Sequence, residues 1–296
     1  MRLKRKTEII IGAVILAVAL LVCLYPVISN FTATKYQSIV QTQYNKTVSK
    51  LDDAELQKAK EAALEYNRKL VENSAEALMY SENYLKLAAD NYDNLLNICG
   101  DGIMGYVEIP KIDVNLPIYH GTGDESLDRG VGHLLGSSLP IGGETSHTVL
   151  TAHSGLAGQR LFSDLDKLEC GDTFYIHTLD ETMAYVVVEI NTVLPEDTSK
   201  LSIQQGNELC TLVTCTPYGV NTHRLLVRGV RIANEQAELV EKLVAENEET
   251  VQSTWQREYF KGIGLGLAGL FIFAVALEIN RIRPKRRRKR GRHEQR

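Results

Sequence analysis

The 296-residue chain has no CxxC pair and no His/Cys cluster at metal-ligand spacing. That removes the zinc ribbons and fingers such spacings build. Proline is scarce at seven residues, and neither proline nor glycine occurs between Phe31 and Asn97. A stretch without these two breakers lacks the strongest turn signals and argues against a run of short strands there. Positive charge is the third shortage. From Ser29 to Phe260 there are 18 Lys/Arg against 34 Asp/Glu, a net of -16.

The missing cations sit at the two ends. Residues 1–6 hold four Lys/Arg, and residues 281–296 hold ten against the single acid Glu294. Inside each basic end lies an apolar run. Residues 9–28 (IIIGAVILAVALLVCLYPVI) form twenty uncharged positions, enough helix to cross a hydrocarbon core of about 30 Å. Gly262 to Leu277 gives a second, shorter run, extended by Tyr259 and Phe260. The sequence around Cys23 to Ser29 is bulky and contains Pro26, unlike a small-residue cleavage site, which favours an uncleaved anchor. The positive-inside rule then keeps both termini in the cytoplasm and the acidic middle outside. Placed after a span, the basic tail reads as topogenic, with no nucleic-acid partner. The segments expected are a basic N-terminus (1–8), a span (9–28), a helical segment (29–98), a β body (99–234), a membrane-proximal helix (235–260), a second span (261–280) and a basic tail (281–296).

Residues 31–97 are rich in Ala, Glu, Lys and Leu, with apolar residues at three- and four-residue steps, which predicts helix. Two arrangements are open for it: a membrane-proximal stalk, or an appendage packed on the body. From GDGIMGYVEIP onward short β-rich runs alternate with Gly, Pro, Asn and Asp. That texture predicts a closed antiparallel barrel or a sandwich of about 130 residues.

Cys23 lies in the first run, which leaves Cys99, Cys170, Cys210 and Cys215 outside. Four could make two disulfides, but Cys210 and Cys215 are an odd number of positions apart on one strand, so they face opposite sides. Cys99, Cys170 and Cys210 are expected to be small buried apolar residues. Cys215 differs. It ends the run LCTLVTC, is followed by the turn sequence Thr216-Pro217-Tyr218-Gly219, and precedes the run HRLLVRGVRI. If the two runs pair, Arg224 returns beside Cys215, where a guanidinium favours thiolate and can hold an oxyanion. A cysteine nucleophile also needs an imidazole. Spacing alone does not choose among His120, His133, His147, His153, His177 and His223; His153 has the best context, at the exit of HTVLTA before Ser154-Gly155.

The string TLVTCTPYGVNTHRLLVRG resembles the catalytic hairpin of the sortases, and VLTAHSGL resembles their histidine segment. GYVEIPKIDVNLPIYHGT, GVGHLLGSSLPIGG and LFSDLDKLECGDTFYI continue the likeness in the same order, from about Gly100 to Ile232. The long CTPYGVNTHRLLVRG and a span after the body are most similar to the class C, pilin-polymerising sortases. The resemblance implies a mostly β fold, an eight-stranded barrel flanked by two transmembrane helices, in a Gram-positive cell membrane. It implies Cys215 as nucleophile, His153 as acid/base and Arg224 as oxyanion or substrate stabiliser. The implied substrates are pilins or surface proteins bearing an LPxTG-like signal, cut between Thr and Gly. The implied acceptor is a pilin lysine or a cell-wall amine, and no cofactor or metal is needed.

Two features depart from that pattern. Class C enzymes commonly carry a lid with an Asp-Pro-aromatic motif, whereas residues 73–94 contain no proline. Asp90-Asn91-Tyr92 has only the acid and the ring, so a lid is either absent or helical, with Leu78, Leu85 and Tyr92 on its apolar face and weak in its inhibition. Ser154 also stands where many pilin sortases have Arg. A housekeeping anchoring enzyme, a secreted cysteine peptidase and a non-enzymatic adhesin are the alternatives.

Overall fold

The computed structural model describes residues 2–73, 80–156, 158–245, 261–266, 268–269 and 272. Helix α1 (Arg2–Val48) runs through the charge-free stretch and on into the polar sequence with no break near residue 28. Pro26 lies inside it, where the absent N–H costs one helical hydrogen bond. Ile10, Leu21 and Val22 are among the apolar side chains it leaves exposed. Among the described residues this is the one helix long and apolar enough to cross a membrane. Two flanking spans were expected; the second, Gly262–Leu277, falls largely outside the described residues. In the C-terminal unit, residues 256–296, positions 261–266, 268–269 and 272 are helical.

The stretch without glycine and proline is not a stalk. It forms the end of α1, then α2 (Asp53–Glu72) and α3 (Glu82–Ala89), packed on the β body. The start of α2 is set by a reciprocal capping box between Asp52 and Glu55. Tyrosines at helical spacing do the docking. Tyr44 Oη donates to Met104 O at 2.9 Å and accepts from Leu179 N at 2.9 Å. Tyr66 Oη donates to Ala88 O, and Tyr84 Oη to Gly136 O. The Asn67 amide accepts from Leu139 N at 2.7 Å and donates to Leu139 O at 3.2 Å. Each hydroxyl or amide enters the apolar interior with its polar atom satisfied, as burial demands.

Strands begin where glycine returns. They are β1 (Ile103–Ile109), β2 (Val114–His120), β3 (Val131–His133), β4 (Ser146–Thr151), β5 (Thr173–Thr178), β6 (Glu181–Val193), β7 (Glu208–Thr216) and β8 (His223–Ile232). They close in the order β1-β2-β3-β4-β7-β8-β6-β5, the eight-stranded barrel expected. The pairing is not antiparallel throughout, as the strand texture predicts: β2 with β3 and β4 with β7 are parallel pairs, joined by connections long enough to cross over, and the rest are antiparallel. Closure brings β1 against β5 so tightly that a Cβ on Gly105 would strike the His177 carbonyl. Phe162, Phe174, Ile118 and Leu150 are buried in the barrel interior with Leu139 and Val227, continuous with Tyr66, Leu70 and Tyr84 of the helical layer. A helix, α5 (Asn234–Ala245), follows the barrel.

Candidate active site

β7 and β8 pair so that Cys215 lies directly opposite Arg224 and Thr216 opposite His223. Opposed residues of an antiparallel pair project to one face with Cβ atoms about 5 Å apart. Cys215 and Arg224 therefore meet, and His223 is sent to the other side, where its Nδ1 lies 3.0 Å from Thr222 Oγ1. Cys210, five positions earlier, is fully buried in the core, and burial pushes its thiol well above the ordinary range. Cys99, Cys170, Cys210 and Cys215 are free thiols, so neither of the two possible disulfides forms among them. The expectation of burial holds for Cys210, but Cys99 is only half-buried and Cys170 is exposed. Cys170 directly precedes the turn Gly171–Asp172, which leads out of the 165–168 segment at the surface.

The turn between β7 and β8 starts with a cis Thr216–Pro217 bond, and the Pro217 carbonyl accepts from Val220 N and Asn221 N at 3.0 Å each. The Arg224 guanidinium donates to the carbonyls of His223 (3.1 Å) and Asn221 (3.4 Å). That leaves donors of its planar fork for a ligand.

The histidine arrives from β4. Its parallel pairing with β7 puts Thr151 beside Val213. Beyond the strand, Ala152 N donates to Val213 O at 3.1 Å and Thr214 Oγ1 donates to Ala152 O at 2.8 Å. Those two bonds hold the chain on β7 for one residue past the ladder and deliver His153 to the same barrel end as Cys215. Gly155 then turns away with φ 82°, a left-handed conformation suited to glycine. A Cβ there would lie 3.4 Å from Gly219 N, so the histidine loop and the cysteine hairpin touch.

His153, Cys215 and Arg224 line one cavity of about 320 Å³. Its apolar wall is Leu134, Val149, Val193, Leu201, Val213 and Leu226; Thr151, Asp197 and Thr198 add polar groups. Asp128 Oδ1 stands 4.0 Å from His153 Nε2, a carboxylate the sequence did not single out. The segment bearing Asp197, Thr198 and Leu201 is fixed from behind. Arg228 Nη1 pairs with Glu189 at 2.6 Å and its Nη2 donates to the Lys200 carbonyl, while Lys200 Nζ closes on Glu189 at 2.6 Å.

The other described histidines are engaged elsewhere in the fold. His147 donates from Nδ1 to Ser202 O (2.8 Å) and accepts from Thr211 Oγ1 (2.7 Å); His133 donates from Nε2 to Ser138 O (2.8 Å) and accepts from Tyr92 Oη (2.9 Å). Burial drives both imidazoles down to about 4. His120 bridges the Gly102 and Leu95 carbonyls, and His177 faces Glu108 on the barrel wall.

The segment 73–94 is not one helix. α2 ends at Glu72, α3 begins after Ser81, and Tyr92–Asn94 is a 3-10 turn. Leu78 lies outside the described residues. Tyr92 does not face the cavity: it is buried against His133 and accepts from Gly121 N at 2.9 Å. The residue of this segment nearest the site is Tyr80, which packs on the wall and does not line the cavity itself. Held at φ 62°, it packs on the cluster of Val149, Leu201, Val213 and Leu226, the cavity's own apolar wall. Its hydroxyl is buried without a hydrogen-bond partner among the described residues. Helical periodicity puts Leu78, Leu85 and Tyr92 on one apolar face, and nothing in the sequence marks the left-handed turn at Tyr80.

The sortase-domain family model matches residues 107–232. The chain is similar to sortase C1 from Streptococcus agalactiae, at 46% identity and a TM-score of 0.61, over 66% of this chain and 98% of that one. It is also similar to sortase C from Streptococcus pneumoniae, at 45% identity and a TM-score of 0.57, over 66% of this chain and 96% of that one; that structure is described as bearing on catalysis and pilin substrate specificity. Sortase A of Streptococcus agalactiae is 31% identical over 130 residues, which is 43% of this chain and 52% of that protein. The chain thus spans about half the length of that curated relative.

Proposed function

Because the chain belongs to the sortase family, we propose that it is a membrane-anchored cysteine transpeptidase, with Cys215 as nucleophile, His153 as acid/base and Arg224 as stabiliser. The observation that carries this is the shared cavity in which β7–β8 register sets Arg224 against Cys215 while β4 delivers His153. The substrate is an LPxTG-like sorting signal, and an apolar cavity of about 320 Å³ suits a short peptide segment with apolar side chains.

In the first step the Cys215 thiolate attacks the Thr–Gly carbonyl, and the C–N bond breaks as His153 gives its proton to the departing glycine amine. The product is an acyl-thioester on Cys215. Arg224 hydrogen-bonds the oxyanion that develops in the tetrahedral intermediate; donors placed there are worth several kcal/mol because they act on charge present only in the transition state. In the second step neutral His153 takes a proton from the incoming amine, which attacks the thioester and expels the thiolate. With a pilin lysine as acceptor the bond formed is an isopeptide, and repetition assembles a covalent pilus. The structural likeness to sortases of class C supports that acceptor over a cell-wall amine.

The test is mass spectrometry of the protein mixed with a sorting-signal peptide, with and without a lysine-bearing pilin peptide. Expected are a Cys215 acyl adduct, an isopeptide product when the lysine is present, and neither with Cys215→Ala. Free acid as the main product despite excess lysine would make the chain a peptidase.

A further inference from the structure

The contacts of α1 fix how deep each part of the barrel sits relative to a bilayer. This rests on the anchor of the preceding section, in which the charge-free run 9–28 spans the lipid. Tyr44, at the far end of the helix, meets Met104 and Leu179. Tyr36 Oη accepts from Arg129 Nη2 at 3.4 Å, next to Asp128. Lower still, Asn30 Oδ1 accepts from Arg160 N at 3.2 Å, and Ser29 packs against Gly158 so closely that a Cβ on that glycine would strike its hydroxyl. With a rise of 1.5 Å per residue, Tyr44 stands about 22 Å above Ser29, whereas Asn30 is only about 3 Å past Ile28. The headgroup layer is about 5–7 Å deep on each side. So the 158–160 segment, which continues the His153 loop, lies at headgroup depth.

The cysteine hairpin is linked to that segment. Gly155 touches Gly219 and Tyr218, and three residues of chain, at most about 11 Å, separate Gly155 from Gly158. At the hairpin tip Val220 is 64% exposed, more than any other large apolar side chain in the described strands and loops of the barrel, and Tyr218 is also exposed. An aromatic and an aliphatic side chain at one tip, touching Gly155 three residues of chain from the segment that touches α1, fit the interfacial layer, where amphipathic rings and apolar side chains are stabilised.

We propose that the barrel end carrying His153 and Cys215 is turned to the bilayer, with the Tyr218–Val220 tip seated in the headgroup region of the lipid surface. The partner is the membrane itself, and a peptide chain held at the lipid surface is the acyl donor such an orientation favours.

Trp255 is the chain's only tryptophan, so a Trp255→Phe background permits single reporters. The full chain carrying Val220→Trp, reconstituted in vesicles of dibrominated phosphatidylcholine, should lose at least about half its fluorescence relative to unbrominated vesicles. Val188→Trp, on the exposed face of β6 and five residues back along the strand from Val193, the partner of Arg224, should be essentially unquenched. Tyr25→Trp, inside the apolar run, reports the anchor without turnover. Quenching at position 25 but not at 220 would overturn the orientation and leave the anchor intact. Equal quenching at 220 and 188 would overturn it as well. No quenching at 25 would remove the anchor and the proposal with it. If Val220→Trp fails to fold by circular dichroism, Tyr218→Trp serves the same test.

Discussion

Arg224 sits opposite Cys215 on paired strands, so charge and shape at that position can be varied separately. Lys keeps the charge but has no planar fork and holds it on a flexible stem. Arg224→Lys should therefore lower kcat/KM for thioester formation by at least about tenfold, or about 1.4 kcal/mol, while the thermal midpoint stays close to that of the wild type. A wild-type rate in stopped-flow acylation would reduce Arg224 to a structural role. The pairing was legible in the sequence because both partners lie on one hairpin, with a turn signal between two β-rich runs. His153 was harder. The parallel register of β4 on β7 joins segments about sixty residues apart, and strand propensity carries no information about such pairing. Its choice rested on the strand-exit context and on a family resemblance.

At the scale of elements, the helical layer and the barrel share one core. Removing residues 31–97 would take away Tyr44, Tyr66, Leu70, Tyr84 and Tyr92, so that truncation tests folding and not access to the cysteine. A single side chain is the better probe. Tyr80 packs on residues of the cavity's apolar wall, and by loosening that wall Tyr80→Ala should speed alkylation of Cys215 by a neutral thiol reagent severalfold, up to about tenfold. An unchanged alkylation rate would show that Tyr80 does not gate the site. The existence of the helices was legible from composition, and their docking was not. A tyrosine every few turns looks the same whether its hydroxyl meets water or, as Tyr84 does, a carbonyl 52 residues away.

For the molecule as a whole, acid should weaken the fold through histidines outside the active site. His133 and His147 are buried and neutral, and both are lowered from 6.5 to about 4. Between about pH 6.5 and 4 the unfolded chain binds protons at these two positions that the folded chain refuses, so stability rises with pH across that window and falls on acidification. Each site could contribute up to roughly 3 kcal/mol by pH 4. Thermal unfolding followed from pH 7 to 4 should show this slope, and a folded His133→Gln variant should show less of it. A variant slope equal to that of the wild type would place the acid sensitivity elsewhere.

The bonds of Tyr44 have a consequence for the order in which the chain becomes itself. Synthesis runs from the N-terminus, so Tyr44 is made 135 residues before Leu179, whose amide it must accept. Until then the hydroxyl lacks one of its two partners, and the barrel cannot close, because β1 waits for β5 and β4 waits for β7. Long-range closures of this kind are slow compared with helix formation. The nascent chain therefore carries a finished helix and an unfinished sheet for most of its synthesis. Its exposure to proteases and chaperones is greatest before residue 232 has emerged, because β8 joins β7 to β6, and a pause in elongation upstream of that point should prolong it.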